Sequence, residues 1–184
     1  MFTKLPMALL IAGILACAPA PAAERGYESN TNSSAVPPTS SAALPVNSEV
    51  PLAHDLHVDA ADAHARKIPL LLVVTTQGCP YCARAKRQYL GPISAEAKYR
   101  AKVIVREVDA GSSAPLIDFA GNPSTHAAIA RGYQVKRVPA VLAVDADGRV
   151  LADPVVGLVI SDFYGAYIDG AIDQATANIR ARGG

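Results

Sequence analysis

The sequence predicts an α/β fold: a central mixed β-sheet with helices on both faces. Three observations predict it. A nearly continuous apolar run, Ile68 to Thr75, passes directly into a helix-favouring stretch that opens at Cys79. Lys102 to Val108 follows as a second strand-like run, giving a parallel strand–helix–strand start of the kind buried on both faces. Ala140 to Val144, closed by the tight turn Asp145-Ala146-Asp147-Gly148 into Arg149 to Ala152, supplies an antiparallel hairpin at the end. Parallel and antiparallel pairings together require a mixed sheet, and the intervening helices need its two faces.

The elements follow in order. Met1 to Lys4, the apolar Met7 to Ala16, and the small residues Ala18 to Ala23 read as a secretory signal, residues 1–23, too short in its apolar part to span a bilayer comfortably. Ile14-Leu15-Ala16-Cys17 is similar to the lipobox of bacterial lipoproteins, so the signal either ends before a lipidated Cys17 or is removed together with it. Residues 24–50 are rich in Ser, Asn, Thr, Pro and Ala and too poor in large apolar side chains to offset their ordering entropy; they read as a disordered linker.

The folded domain is expected over residues 51–184. His54 to Arg66 has the spacing of a helix, Ile68 to Thr75 is the first strand, and the helix begun at Cys79 is expected to stop near Leu90, ahead of Gly91-Pro92. Ala95 to Arg100 adds a turn, Lys102 to Val108 a strand, and Asp109 to Ser113 a loop. Asn122 to Thr125 is expected to cap a helix reaching Arg131, with Gly132 at its end. After the hairpin, Ser161 opens a last helix whose apolar positions Tyr164, Ile168, Ala171, Ile172, Ala175 and Ile179 recur every three to four residues.

Composition narrows the function. The chain has 184 residues, 51% of them hydrophobic, with a net charge of +1; its mean hydropathy is +0.20 and its pI about 7.7. That is enough apolar material for one core and too little positive charge to attract nucleic acid, so no nucleic-acid partner is expected, and a membrane only through a lipid on Cys17. With Cys17 set aside, Cys79 and Cys82 are the thiols of the mature domain, and any disulfide of an exported chain lies there.

Cys79-Pro80-Tyr81-Cys82 sits where a strand turns into a helix. Two intervening residues let one helical turn bring the sulfurs within bonding distance, and the first cysteine lands among the unpaired N–H groups of a helix start, which favour a thiolate. The pair is therefore expected to exchange thiols and disulfides. Pro80 lacks the N–H that a first helical turn leaves unpaired anyway, and together with Tyr81 it is a candidate for tuning the redox poise.

Strand, Cys-x-x-Cys, helix and strand, then Val138-Pro139 before an apolar strand ending in Asp-x-Asp-Gly, resemble the thioredoxin-like superfamily over nearly all of residues 54–181. The resemblance implies the thioredoxin fold, Cys79 as the exposed nucleophile, Cys82 as the resolving thiol, and a cis Val138–Pro139 bond at which Val138 and Pro139 bind the substrate peptide. It implies an enzyme without cofactor, a periplasmic thiol–disulfide oxidoreductase acting on protein thiols and disulfides with an upstream redox partner protein, reduction of the substrate being the favoured direction. In cytosolic members a Trp precedes the first cysteine and a buried Asp lies on the preceding strand. Gly78 and Val73 stand at those positions, which leaves the resolving step without its usual proton acceptor. The linker is too poor in apolar residues to form a dimerisation domain, so a monomer is expected.

Metal chemistry is the competitor. A structural zinc site wants four ligands and only one cysteine pair exists; His54, His57 and His64 read as solvated positions of the first helix, His126 stands alone in another, and Ala83 rather than His follows Cys82, which excludes haem attachment. The alternative function is binding or delivery of a soft metal such as copper on the same fold, with no methionine beyond Met7 to assist. Asp145 and Asp147 read as turn formers; Arg84, Lys86 and Arg87 read first as a solvated helix face, the alternative being guidance of an acidic partner or stabilisation of a thiolate.

Overall fold

A computed structural model describes residues 49–158 and 161–183. The signal, Cys17 and nearly all of the linker lie outside them, and the described residues belong to one compact unit, Ala42–Gly184.

Helix α1, Leu56–Arg66, starts where Asp55 accepts a hydrogen bond from the Val58 N–H and stops at Lys67, whose left-handed backbone (φ 53°) ends the ladder. Strand β1, Leu70–Thr75, is the centre of the sheet. All six of its residues are buried, as the unbroken apolar run requires. It pairs in parallel with β2, Ile104–Asp109, and antiparallel with β5, Ala140–Val144. Residues 51–53 run alongside β2 in parallel, the Ala53 N–H donating to the Glu107 carbonyl at 2.9 Å.

Period-two alternation splits these strands into two apolar faces. Leu71, Val73, Val105, Val141 and Ala143 meet the helix that follows β1 and the last helix, α6, Tyr164–Arg182. Leu70, Leu72, Val74, Ile104, Val108, Leu142 and Val144 meet α1 and the later helix α5, His126–Gly132. The mixed sheet with helices on both faces is thus present.

Four details differ from the sequence reading, each for a local reason. The helix that starts at Pro80 does not stop at Leu90. It runs as α2, Pro80–Ala85, through a π-helical turn, Lys86–Leu90, into α3, Gly91–Ala95, and after Glu96 a further turn, α4, Ala97–Arg100. The Gly91 N–H bonds the Lys86 carbonyl five residues back, and in this widened turn Pro92 becomes the start of a new helical segment rather than a stop.

Pro123–Thr125 is a short strand, β4, paired with Pro115–Ile117, β3. Thr125 still caps α5, its hydroxyl accepting from the Ala128 N–H at 3.2 Å. The hairpin after β5 forms with an interrupted return arm. Leu151 bonds back to Ala143, but the paired strand β6 is Val155–Val156, offset by extra residues around Pro154, which has no N–H for the ladder. The final helix begins with a 3-10 turn, Ser161–Phe163, ahead of α6.

The Asp145–Gly148 turn is held by the Asp145 carboxylate, which accepts from the N–H groups of Asp147 (3.0 Å) and Arg149 (2.8 Å). Asp145 and Asp147 are turn formers, as expected. Gly148 has φ +76°, and a Cβ there would lie 2.8 Å from the Phe119 ring, so both backbone and space require glycine.

Candidate active site

β1 delivers its carboxyl end to a three-residue bend, Thr76 to Gly78, in which Gly78 takes φ +73° with open space beside it. The left-handed backbone rather than crowding selects glycine there. Cys79 is the N-cap of α2. Its sulfur accepts a hydrogen bond from the Cys82 N–H at 3.1 Å, and its carbonyl accepts from Ala83 at 3.1 Å. Pro80 opens the helix without orphaning a donor.

Cys79 and Cys82 form a disulfide, with Cα atoms 5.3 Å apart. Cys82 is 2% exposed, whereas Cys79 is half-buried at the rim of an open cleft of 410 Å³ that Thr76, Gln77, Pro80, Ala83 and Lys86 also line. Tyr81, 61% exposed, does not line that cleft.

The Val138–Pro139 bond is cis. Val138 is half-buried and Pro139 buried, and the Pro139 carbonyl accepts from the Gly157 N–H at 2.7 Å. Because Ala140 pairs with Val74 in an antiparallel register, the two residues before it lie beside the end of β1, at the same edge of the sheet as the cysteines. They do not line the 410 Å³ cleft itself.

Beneath this edge lies a polar cluster that the sequence reading did not find. Glu107, 7% exposed, accepts from the Thr75 hydroxyl at 2.6 Å and from Lys86 Nζ at 2.7 and 3.0 Å. In the β1–β2 register Glu107 is the partner of Val73. The carboxylate missing from Val73 has a counterpart one strand to the side, on the same face. One signal pointed to it: Glu107 continues the alternation of the buried Val103 and Val105. Lys86 is accordingly not part of the solvated face; only Arg84 and Arg87 remain exposed.

Behind β2, His126 is buried at the start of α5, its Nδ1 facing the Asp109 N–H at 3.4 Å. Burial holds its pKa below the usual imidazole value, with Asp109 pulling the other way. His57, on α1, meets the Phe119 carbonyl at 3.1 Å. Among the described residues no three His, Cys, Asp or Glu side chains gather as metal ligands, and no helix there is long and apolar enough to cross a membrane.

Among solved structures the chain is similar to a DsbH oxidoreductase, at 17% identity and TM-score 0.46 over 70% of this chain and 89% of that one. It is similar to the oxidised C-terminal domain of Neisseria meningitidis DsbD, at 16% identity and TM-score 0.41 over 65% and 98%. Spinach chloroplast thioredoxin f gives 17% and 0.41 over 66% and 95%. No curated protein matches the chain in sequence. A family model described as a thioredoxin-like domain matches residues 56–170. That match takes in the disulfide-bonded cysteines, the Val138–Pro139 bond and every strand of the four-stranded sheet, so the chain belongs to the thioredoxin-like domain family and is a thiol–disulfide oxidoreductase.

Proposed function

We propose that the chain is an exported, monomeric reductase of protein disulfides in the periplasm. One observation carries this reading: the two sulfurs are unequal, Cys79 at the rim of a cleft and Cys82 buried one turn behind it. A half-exposed sulfur at a helix start suits attack on a partner, and a buried one suits resolution.

The cycle balances as follows. The Cys79 thiolate attacks a sulfur of the partner disulfide, forming a mixed disulfide and releasing one partner thiolate. Cys82, after losing its proton, attacks the Cys79 sulfur; the Cys79–Cys82 disulfide forms and the second partner thiolate leaves. Two electrons pass to the partner, whose thiolates take up two protons, and an upstream dithiol protein resets the pair. Val138 and Pro139 present backbone to the substrate peptide beside the cleft, and Pro80 and Tyr81 set the poise of the couple.

Residues 1–23 direct export, residues 24–50 serve as a spacer, and residues 51–184 carry the chemistry. Cys17 either leaves with the signal or carries a lipid that holds the domain at a membrane. Fractionation of cells expressing the parent and Cys17→Ser separates these outcomes.

The central test is reduction of insulin disulfides with a small dithiol as electron source. Cys79→Ser is expected to lower the rate at least about a hundredfold, because the nucleophile is gone. A Cys79→Ser protein as fast as the parent sinks the reading. Equilibration with glutathione fixes the direction: a couple more reducing than glutathione supports reductase work, and a more oxidising one reverses it.

A further inference from the structure

We propose that Lys86 is the cation that stabilises the Cys79 sulfur as an anion once the disulfide opens, and that Glu107 restrains it by competing for the same ammonium. The assignment deepens the proposed function and rests on Cys79 and Cys82 being its working pair.

Three observations carry it. Lys86 lines the same cleft as both cysteines. It follows Cys82 by one helical turn, with its N–H bonded to the Cys82 carbonyl, and helical side chains lean toward the N-terminus, here toward the sulfurs. Its Nζ lies 2.7 and 3.0 Å from the two oxygens of Glu107, which is fixed from the other side by Thr75.

In the disulfide state the sulfurs carry no charge, and the Glu107 carboxylate is the partner that Lys86 has. Opening the disulfide adds two electrons from a partner dithiol; with one proton taken up at Cys82, a single negative charge remains on Cys79, at the rim of the cleft Lys86 lines. The Lys86 side chain is 32% exposed and that of Glu107 10%. The lysine head therefore has freedom to turn toward the new anion, while the carboxylate stays where Thr75 and β2 hold it.

Other charged groups stand near this edge without lining the cleft. Arg84 on α2 and Arg87 in the π-helical turn are exposed, with the Arg84 Nε donating to Gln88 at 2.9 Å. At the end of β2 stands Asp109, and from α5 His126 senses both Asp109 and Glu107. Lys86 alone of these cations shares the cleft lining with the sulfurs.

The test is titration of the reduced protein, following thiolate absorbance and the rate of iodoacetamide alkylation against pH. Lys86→Met is expected to move the Cys79 titration up by about one pH unit and to slow alkylation at neutral pH about tenfold. Glu107→Gln, which keeps the shape and frees the ammonium, is expected to move the titration down. Lys86→Arg restores most of the parent behaviour.

Shifts of opposite sign support the assignment, since a loosened fold has no reason to separate the two variants in that way. Absent shifts, or shifts of the same sign, overturn it. If Glu107→Gln does not fold, Lys86→Met against Lys86→Arg decides: a rise undone by arginine supports the assignment, and no rise overturns it. The readout needs no turnover, so it stands apart from the insulin assay: opposed shifts support the assignment even in a protein inert toward insulin.

Discussion

Arg106 and Glu107 are neighbours on β2, point to opposite faces of the sheet, and each ties the strand to a helix through an ion pair. Arg106 Nε meets Asp59 of α1 at 2.7 Å, with a second nitrogen on the other carboxylate oxygen. Glu107 meets Lys86 of the cysteine helix. The two pairs are buried almost alike, 28% and 12% side-chain exposure against 32% and 10%. What differs is the cation. A guanidinium fork fixed on a carboxylate is a planar brace with little left to move, whereas an ammonium on a four-carbon stem is a point charge free to change partners. Burial alone therefore does not tell a structural pair from a functional one. The shape of the cation and the identity of its other neighbours do.

The largest effect expected is on the floor between the pairs. Leu72 is the register partner of Arg106 on one side and Leu142 on the other, and it is fully buried. Leu72→Ala should cost about 2–5 kcal/mol by urea unfolding. It sits on the Arg106 face, so alkylation of Cys79 in the folded variant should match the parent; a changed rate breaks the separation of the two faces.

Arg106→Met comes next. It leaves the mostly buried Asp59 carboxylate without its partner and should cost about 2 kcal/mol, less than a fully buried pair because both groups keep some contact with water. The thiol titration should not move, in contrast to Lys86→Met.

The smallest effect concerns pH. His126 is held neutral by burial, its folded-state pKa lying below the ordinary value. As pH falls below about 6.5, the unfolded chain binds a proton that the folded chain refuses, so stability drops with pH in that window and is fully present above it. Urea midpoints measured on both sides of this window should flatten in His126→Gln. An unchanged slope would remove His126 from the account.

What could be read from the sequence was what is local. The cysteine junction is written in four adjacent residues between a strand run and a helix run, and Val138-Pro139 announces itself by the apolar strand it precedes. Glu107 was hidden because its meaning depends on register. An acid between Arg106 and Val108 says nothing until β1 is laid beside it and Val73 falls opposite. Lys86 reads by default as solvated with Arg84 and Arg87, because sequence alone does not separate a lysine that buries its stem and turns its head inward from its exposed neighbours. Short pairings such as β3 with β4 carry too few residues for a periodic signal, and the broken return arm after β5 follows from extra residues around Pro154 that no alternation pattern contains.

The helix that carries the cysteines buries Cys82, Ala85, Leu90 and Ile93. With the buried Gly91 set aside, the steps of three, five and three spread over a wider arc than a three-four-three stripe would, and the widened turn takes up the extra residue. The wider turn absorbs one residue within the helix: upstream, sulfur is presented to a cleft, and Ala85, Leu90 and Ile93 press onto one core. Removing one residue between Lys86 and Leu90 leaves steps of three, four and three, which a uniform pitch satisfies, so the shortened helix keeps both its reacting end and its packing end on their faces.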